Sequence, residues 1–326
     1  MIGAMIAAFC AAAVLAIVAR YPRIAPRDLP NERSLHDAPV PRAGGWAIWA
    51  GWFVATAWLV TSLPPGFSES SYATLRVAIV ALFAISLLDD FRGVAAGWRL
   101  AMQAACACGV AATLVPLDAG HAVQFAAIAF VLVAAANFYN FMDGSDGLAG
   151  AMTVIGFSAL AAGAALDRTE AFRPLLMLAV ATLPFLWRNL PRARVFLGDA
   201  GSVPLGFLAA AASVAGVLAG TWPAWFPLLV FLPFVADAGV TLARRALRHE
   251  RVWEPHRSHY YQRLVRLGAG HRGTLAAYGA LMLGCGVTAV LCLAWRPGAG
   301  PHALAAWIAA IALLFAGIDY HGRQRA

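Results

Sequence analysis

Apolar residues in this chain come in blocks about as long as a bilayer is thick, and nothing else constrains its fold so strongly. Eleven runs can be marked, roughly 2–19, 45–63, 72–88, 100–116, 122–137, 147–166, 174–187, 203–220, 224–243, 273–295 and 301–319. About twenty residues of helix cross the ~30 Å hydrocarbon core, and a helix satisfies its own backbone polar groups there. The pattern predicts an all-α polytopic membrane protein of about 11 transmembrane helices, one domain over residues 1–326. Composition agrees: 61% of residues are hydrophobic and 12% charged, against about half and a quarter in soluble domains.

The charges orient the bundle. All 24 basic residues are arginine, so lysine and Schiff-base chemistry are excluded. With eleven crossings and an outer N-terminus, 20 of the 24 arginines fall on the inner side; only Arg76, Arg168, Arg173 and Arg296 lie outside. Inner loops hold the positive excess, which predicts a periplasmic N-terminus and a cytoplasmic C-terminus. The net charge of +8 is then a topological signal, and no nucleic-acid partner is expected. Arg20, Arg23 and Arg27 follow the first run instead of preceding it, so it reads as a retained helix and not a signal peptide. Cys10, Cys106, Cys108, Cys285 and Cys292 lie in apolar runs without zinc-type spacing and read as small buried residues.

Five polar clusters fall on the predicted inner face. "NERSLHDAPVPRAGG" brings Arg33, His36 and Arg42 beside backbone-stiffening Pro and Gly, either a positive-inside anchor or a phosphate-binding loop. "LLDDFRG" ends a helix with Asp89 and Asp90. Mutual repulsion and the helix C-terminus suit one of the two to general-base work, and the pair to a cation; the plainer alternative pairs Asp90 with Arg92. In "NFYNFMDGSDGLAG", Asn137, Asn140, Asp143 and Asp146 recur every three residues through a predicted turn. They are suited to a cation, or to hydrogen bonds from a base or sugar. "VFLGDAGS" puts Asp199 at the head of a helix whose start Ser202 would cap; Asp199 there either serves as a structural helix start or holds Mg²⁺ against a phosphate. In the longest loop, a helix starting after Pro255 would align His256, His259 and Arg263 on one face, opposite Tyr260, Leu264 and Leu267; the plainer alternative is a polybasic amphipathic segment lying on anionic lipid. Acids suit a hard cation and arginines suit phosphates, so the set suggests Mg²⁺-assisted phosphoryl transfer at the membrane surface.

In this order, "PVPRAGG", "LLDD", "NFYNFMDGSDGLAG", "FLGDAGS" and "HRSHYYQRL" resemble the bacterial polyprenyl-phosphate N-acetylhexosamine-1-phosphate transferases. The resemblance implies transfer of an amino-sugar phosphate from a UDP-amino sugar to undecaprenyl phosphate, with Mg²⁺ (Mn²⁺ as a substitute) and release of UMP. It also implies an active-site cleft open to the cytoplasm, with the lipid bilayer and a second copy as further partners. By the same resemblance Asp89 deprotonates the lipid phosphate, Asp90 shapes the site and Asp199 holds the metal. Phe196 would pack near uracil, and Asn137, Asn140, Asp143 and Asp146 would surround the nucleotide pocket. His256, Arg257 and His259 would approach the phosphates and sugar. Phe91, Arg92 and Gly93 follow LLDD where a third acid is common, and the last motif lacks a triple histidine. Both departures resemble the branch that initiates O-antigen or other surface polysaccharides. A transporter of an anionic solute is the alternative, but its ionisable residues belong at mid-membrane. The sequence also fails the patterns of an intramembrane aspartyl protease and of a CDP-alcohol phosphotransferase.

Overall fold

The computed structural model describes residues 2–28, 39–59, 63–166, 170–251, 254 and 256–324. Its α-helices are α1 (Ile2–Arg20), α2 (Gly44–Leu59), α3 (Glu69–Arg92), α4 (Ala96–Leu114), α5 (Ala122–Phe141), α6 (Leu148–Ala165) and α7 (Arg173–Asn189). They continue as α8 (Asp199–Leu218), α9 (Trp225–Val230), α10 (Leu232–Leu247), α11 (Tyr260–Leu264), α12 (Gly270–Trp295) and α13 (Gly300–Gln324). Each apolar run has become helix, and eight segments are long and apolar enough to cross a bilayer. The second run forms a 16-residue helix, and α4 extends back from the fourth run to Ala96, so that Arg99 and Gln103 dilute it.

The ninth run is broken. Pro233 has no amide for Leu229, and its ring crowds that carbonyl, so α9 stops and α10 begins after Phe231. The tenth run starts early, as the short α11 and a π turn at Val265–Ala269 where Gly268 (φ 103°) turns the chain into α12.

Helix α8 is the axis, packing against α2, α3 and α5. Its run of Ala and Gly, "GSVPLGFLAAAASVAG", lets neighbours approach closely, as small residues do between membrane helices. A side chain at Gly206 would overlap the carbonyl of Ala135 on α5.

Two short strands break the all-helical expectation: β1 (Arg27–Asp28) pairs antiparallel with β2 (Val40–Pro41), Asp28 opposite Val40. Just after β2, Arg42 forms a parallel bridge with Phe196. Phe196 N–H donates to Pro41 O (2.9 Å), Gly44 N–H to Phe196 O (2.9 Å) and Gly45 N–H to Leu197 O (2.9 Å). Two motifs about 150 residues apart are thus stitched backbone to backbone. Only glycine permits the approach: a Cβ on Gly45 would lie 2.5 Å from Gly201 Cα.

Candidate active site

The stitched loops bring the C-terminal end of α3 against the N-terminal end of α8. Free amides at a helix start attract a carboxylate, and Asp90 supplies it: Ala200 N–H donates to Asp90 Oδ2 (3.2 Å). Ser202, expected as the cap, lies inside α8 and donates to Asn140 Oδ1 (2.7 Å) and Gly198 O (3.2 Å). Gly198 takes φ 75° to enter the helix, and a side chain there would press on Asp90 Oδ2. Arg42 Nη1 donates to Asp90 Oδ1 (3.3 Å), while its Nη2 is ion-paired with Asp28. The Asp90 side chain is 1% exposed. The Asp90–Arg92 pairing considered from sequence does not form; Arg92 points to solvent and Arg42 takes its place.

Asp89 faces the other way. Its Oδ1 accepts from Val94 N–H (2.6 Å) and its Oδ2 from Arg99 Nη1 (2.6 Å). The same Arg99 Nη1 reaches Asp199 Oδ2 at 3.2 Å, so one guanidinium bridges two carboxylates of different helices. The Asp89 and Asp199 side chains keep 15% and 26% of their surface exposed, so both are reachable where Asp90 is not.

Asp143, in the turn after α5, completes the cluster. Burial, and then the nearby Asp199 charge, push its carboxyl well above the usual carboxylate range; Arg42 opposes them. Five carboxyl groups (Asp28, Asp89, Asp90, Asp143, Asp199) share two guanidiniums; even with Asp143 favoured in its neutral form, four acids face two arginines, a deficit of positive charge that suits a cation. Among the described residues no three Asp, Glu, His or Cys side chains close on one point. Mg²⁺ needs no such cage, because one or two carboxylates, waters and substrate phosphates complete its shell. Arg99, between Asp89 and Asp199, already sets a positive group where such an ion would bind.

The rest of the third motif divides. Asn137 donates to Gln103 Oε1 (2.7 Å) and Val133 O (2.8 Å), joining α5 to α4. Asn140 takes the Ser202 hydroxyl. Asp146 is buried, and its Oδ2 accepts from Ala193 N–H (3.0 Å) in the loop after α7. Asn189 bonds Gly147 N–H and Val195 O there (2.9 and 2.8 Å). Phe196 is half-buried beside Arg42, whereas Arg33 and His36 lie outside the described residues.

The histidine segment differs from the expected helix. Residues 256–258 are irregular and α11 starts only at Tyr260, so His256, His259 and Arg263 share no helical face. The cause is Asp237 of α10, fully buried. Its carboxylate accepts from Tyr260 N–H and Tyr261 N–H (2.9 Å each), and from the Tyr278 hydroxyl. Those bonds fix the helix start at Tyr260, four residues later than the start expected after Pro255. His259 sits behind it with Nδ1 3.3 Å from Asp237 Oδ1, its ring 4.8 Å from that of His256. Both rings lie near Phe141, and Tyr261 O–H donates to Phe141 O (2.9 Å), tying this segment to the Asp143 turn. Burial, then His259, hold the His256 imidazole down at about 4, so it is neutral at pH 7. Arg257 keeps Nε and Nη2 buried with no partner among the described residues, two donors available to an anion.

Sequence reasoning missed Arg99, counted only as a loop charge, and Asp28 and Asp237. A lone aspartate inside an apolar run, as in "LPFVADAGVTL", is the signal that marks Asp237.

Fold and site together define a multi-pass helical membrane protein in which five acids and two arginines from distant segments are gathered in one cluster. The description "Glycosyl transferase family 4" matches residues 72–217. The decaprenyl-phosphate N-acetylglucosaminephosphotransferase of Mycobacterium leprae is 32% identical, over 74% of this chain and 71% of that protein. Its namesake in Mycolicibacterium smegmatis is 30% identical, over 74% and 69%. The undecaprenyl-phosphate alpha-N-acetylglucosaminyl 1-phosphate transferase of Yersinia pestis is 27% identical, over 79% and 75%. The chain belongs to glycosyl transferase family 4, among the polyprenyl-phosphate N-acetylhexosamine-1-phosphate transferases.

Proposed function

We propose that the protein transfers an N-acetylated amino-sugar 1-phosphate from a UDP-sugar to undecaprenyl phosphate, releasing UMP, on the cytoplasmic face of a bacterial inner membrane. The product would initiate O-antigen or another surface polysaccharide. One observation carries this reading: the acid cluster stands at the head of a membrane-depth apolar groove. The groove, about 540 Å³, runs between α5, α8, α9 and α10 past Phe138, Gly206, Val214 and Phe231. Its lining begins at Tyr139, next to Asn140, and at Gly206, one turn from Ser202. A polyprenyl chain fits the groove, and its phosphate would then meet the acids.

In the proposed chemistry Asp89 accepts the proton of the lipid phosphate, work worth about 10²–10⁴-fold in rate. The freed oxygen attacks the sugar-proximal phosphorus, the bond from that phosphorus to the UMP oxygen breaks, and UMP leaves. Asp90 positions both helix ends. Arg42, Arg99 and Arg257 donate to the phosphate oxygens as charge develops, while neutral His256 and buried His259 shape the phosphate side of the pocket. Mg²⁺ held by Asp199 would supply charge neutralisation of the diphosphate.

The test is transfer of labelled sugar phosphate from a panel of UDP-amino sugars onto undecaprenyl phosphate in purified membranes. Absence of a Mg²⁺-dependent, UMP-releasing product from all of them ends the proposal. Retention of configuration at phosphorus would replace direct attack by an aspartyl-phosphate route.

A further inference from the structure

A second polar cavity, about 620 Å³, opens among the ends of α10, α11 and α13. It shares no lining residue with the acid cluster. Its walls carry Arg244, Arg245, Arg248, Arg263, Arg266 and Arg323 against two acids, Glu250 and Asp319. The acids are already spent. Asp319 pairs with Arg244 (2.7 Å) and Arg263 (2.6 Å), and Glu250 with Arg245 (2.8 Å). Among the described residues no carboxylate pairs with Arg248, Arg266 or Arg323, so three exposed guanidiniums line the cavity without a described carboxylate partner. Such crowding costs free energy unless an anion shares the space.

The cavity is built and not a loose surface. The Tyr260 ring stacks flat on Phe315 at 3.8 Å, the Arg244 and Arg263 guanidiniums lie over that ring, and the Tyr260 hydroxyl reaches Asp319 at 3.3 Å. Leu247 and Tyr320, both largely exposed, flank it on α10 and α13. Apolar residues with a tyrosine at a helix end mark the level of lipid headgroups. We infer that this cavity is a binding site for a phosphate-bearing anion at the membrane surface, distinct from the transfer site. Basic pockets between membrane helices take phosphate headgroups in this manner, and the planar donors of arginine match phosphate oxygens. Tyr260 and Ser258 belong to the segment that carries His256 and His259, so occupancy would also hold that segment in place.

The experiment uses the full chain in nanodiscs of phosphatidylcholine alone, with added phosphatidylglycerol, or with inorganic pyrophosphate in the buffer. Melting temperature and lipid retention by native mass spectrometry are read. The variant is Arg248→Gln/Arg266→Gln/Arg323→Gln, with Arg266→Gln alone in case the triple variant folds poorly. Arg20→Gln/Arg23→Gln/Arg27→Gln removes equal charge elsewhere. At about a fivefold factor per arginine near an anionic lipid, the triple variant should lose on the order of 100-fold in retained phosphatidylglycerol. The control and the unaltered protein should keep both retention and the lipid-dependent rise in melting temperature. If pyrophosphate gives that arginine-dependent rise and phosphatidylglycerol does not, the site takes a soluble phosphate compound. If the triple variant responds to both additives like the unaltered protein, or the control loses as much, the site does not exist.

Discussion

Asp89 and Asp90 are neighbours in the chain and opposites in environment. Asp90 is sealed between Arg42 and the start of α8, while Asp89 keeps an open edge beside Arg99. Asp89→Asn should therefore lower kcat by about 10²–10⁴-fold with an unchanged melting temperature, and a variant of normal kcat would remove the base assignment. Asp90→Asn should lower both activity and melting temperature, since it loosens two helix ends at once. His256 supplies a pH expectation. Its folded pKa of about 4 lies below the roughly 6.5 of an exposed imidazole, so the unfolded chain binds the proton more readily. Its neutral form costs nothing above about pH 6.5, and stability is lost as pH falls from there towards 4. Melts of His256→Asn should show a flatter acid limb, and an unchanged limb would contradict the assignment. At this scale the acids were legible because polar groups stand out against apolar runs. Their partners were not: Arg99 joins Asp89 to Asp199, a hundred residues beyond the arginine, and only the folded chain reveals which charge meets which.

The elements that build the site are held by backbone and caps more than by side-chain packing. Gly45 and Gly201 let the loop after β2 lie on the first turn of α8. Gly45→Ala should cost roughly 1–3 kcal/mol as the strap is pushed away, read as a lower melting temperature in detergent. Asp237→Ala would leave two amides and a phenol without their acceptor, each worth about 1–3 kcal/mol. Its signature should be melting of α11, seen as faster proteolysis at residues 260–264; an unaltered digestion pattern would show that Asp237 does not set the helix start. The apolar runs announced nearly every long helix, because length and hydropathy are local properties. The caps are not local. Asp90 caps α8 from 110 residues away, and Asp237 overrides the helix that spacing suggested after Pro255.

For the molecule as a whole, the proposed topology puts the arginine-rich end of the bundle, with the C-terminus, in the cytoplasm. A fluorescent-protein fusion at the C-terminus should fluoresce in cells, and alkaline phosphatase fused there should be inactive; the reverse would invert the bundle. Chelation of divalent cations should abolish transfer and added Mg²⁺ should restore it, because the carboxylates at the site outnumber the guanidiniums. Eight segments are long and apolar enough to span, against eleven runs read from the sequence. The difference lies in α2, which is short and largely buried, in α4, which Arg99 and Gln103 make more polar, and in the ninth run, which Pro233 breaks. The apolar groove has one more consequence. Phe130, Val131, Leu218 and Leu228 on its rim are exposed on the outside of the bundle, so the acceptor would enter sideways, from within the sheet of lipid. The protein then samples its acceptor in two dimensions. Its saturation should follow the mole fraction of acceptor among lipids, so diluting that surface with detergent at constant bulk concentration would slow the reaction.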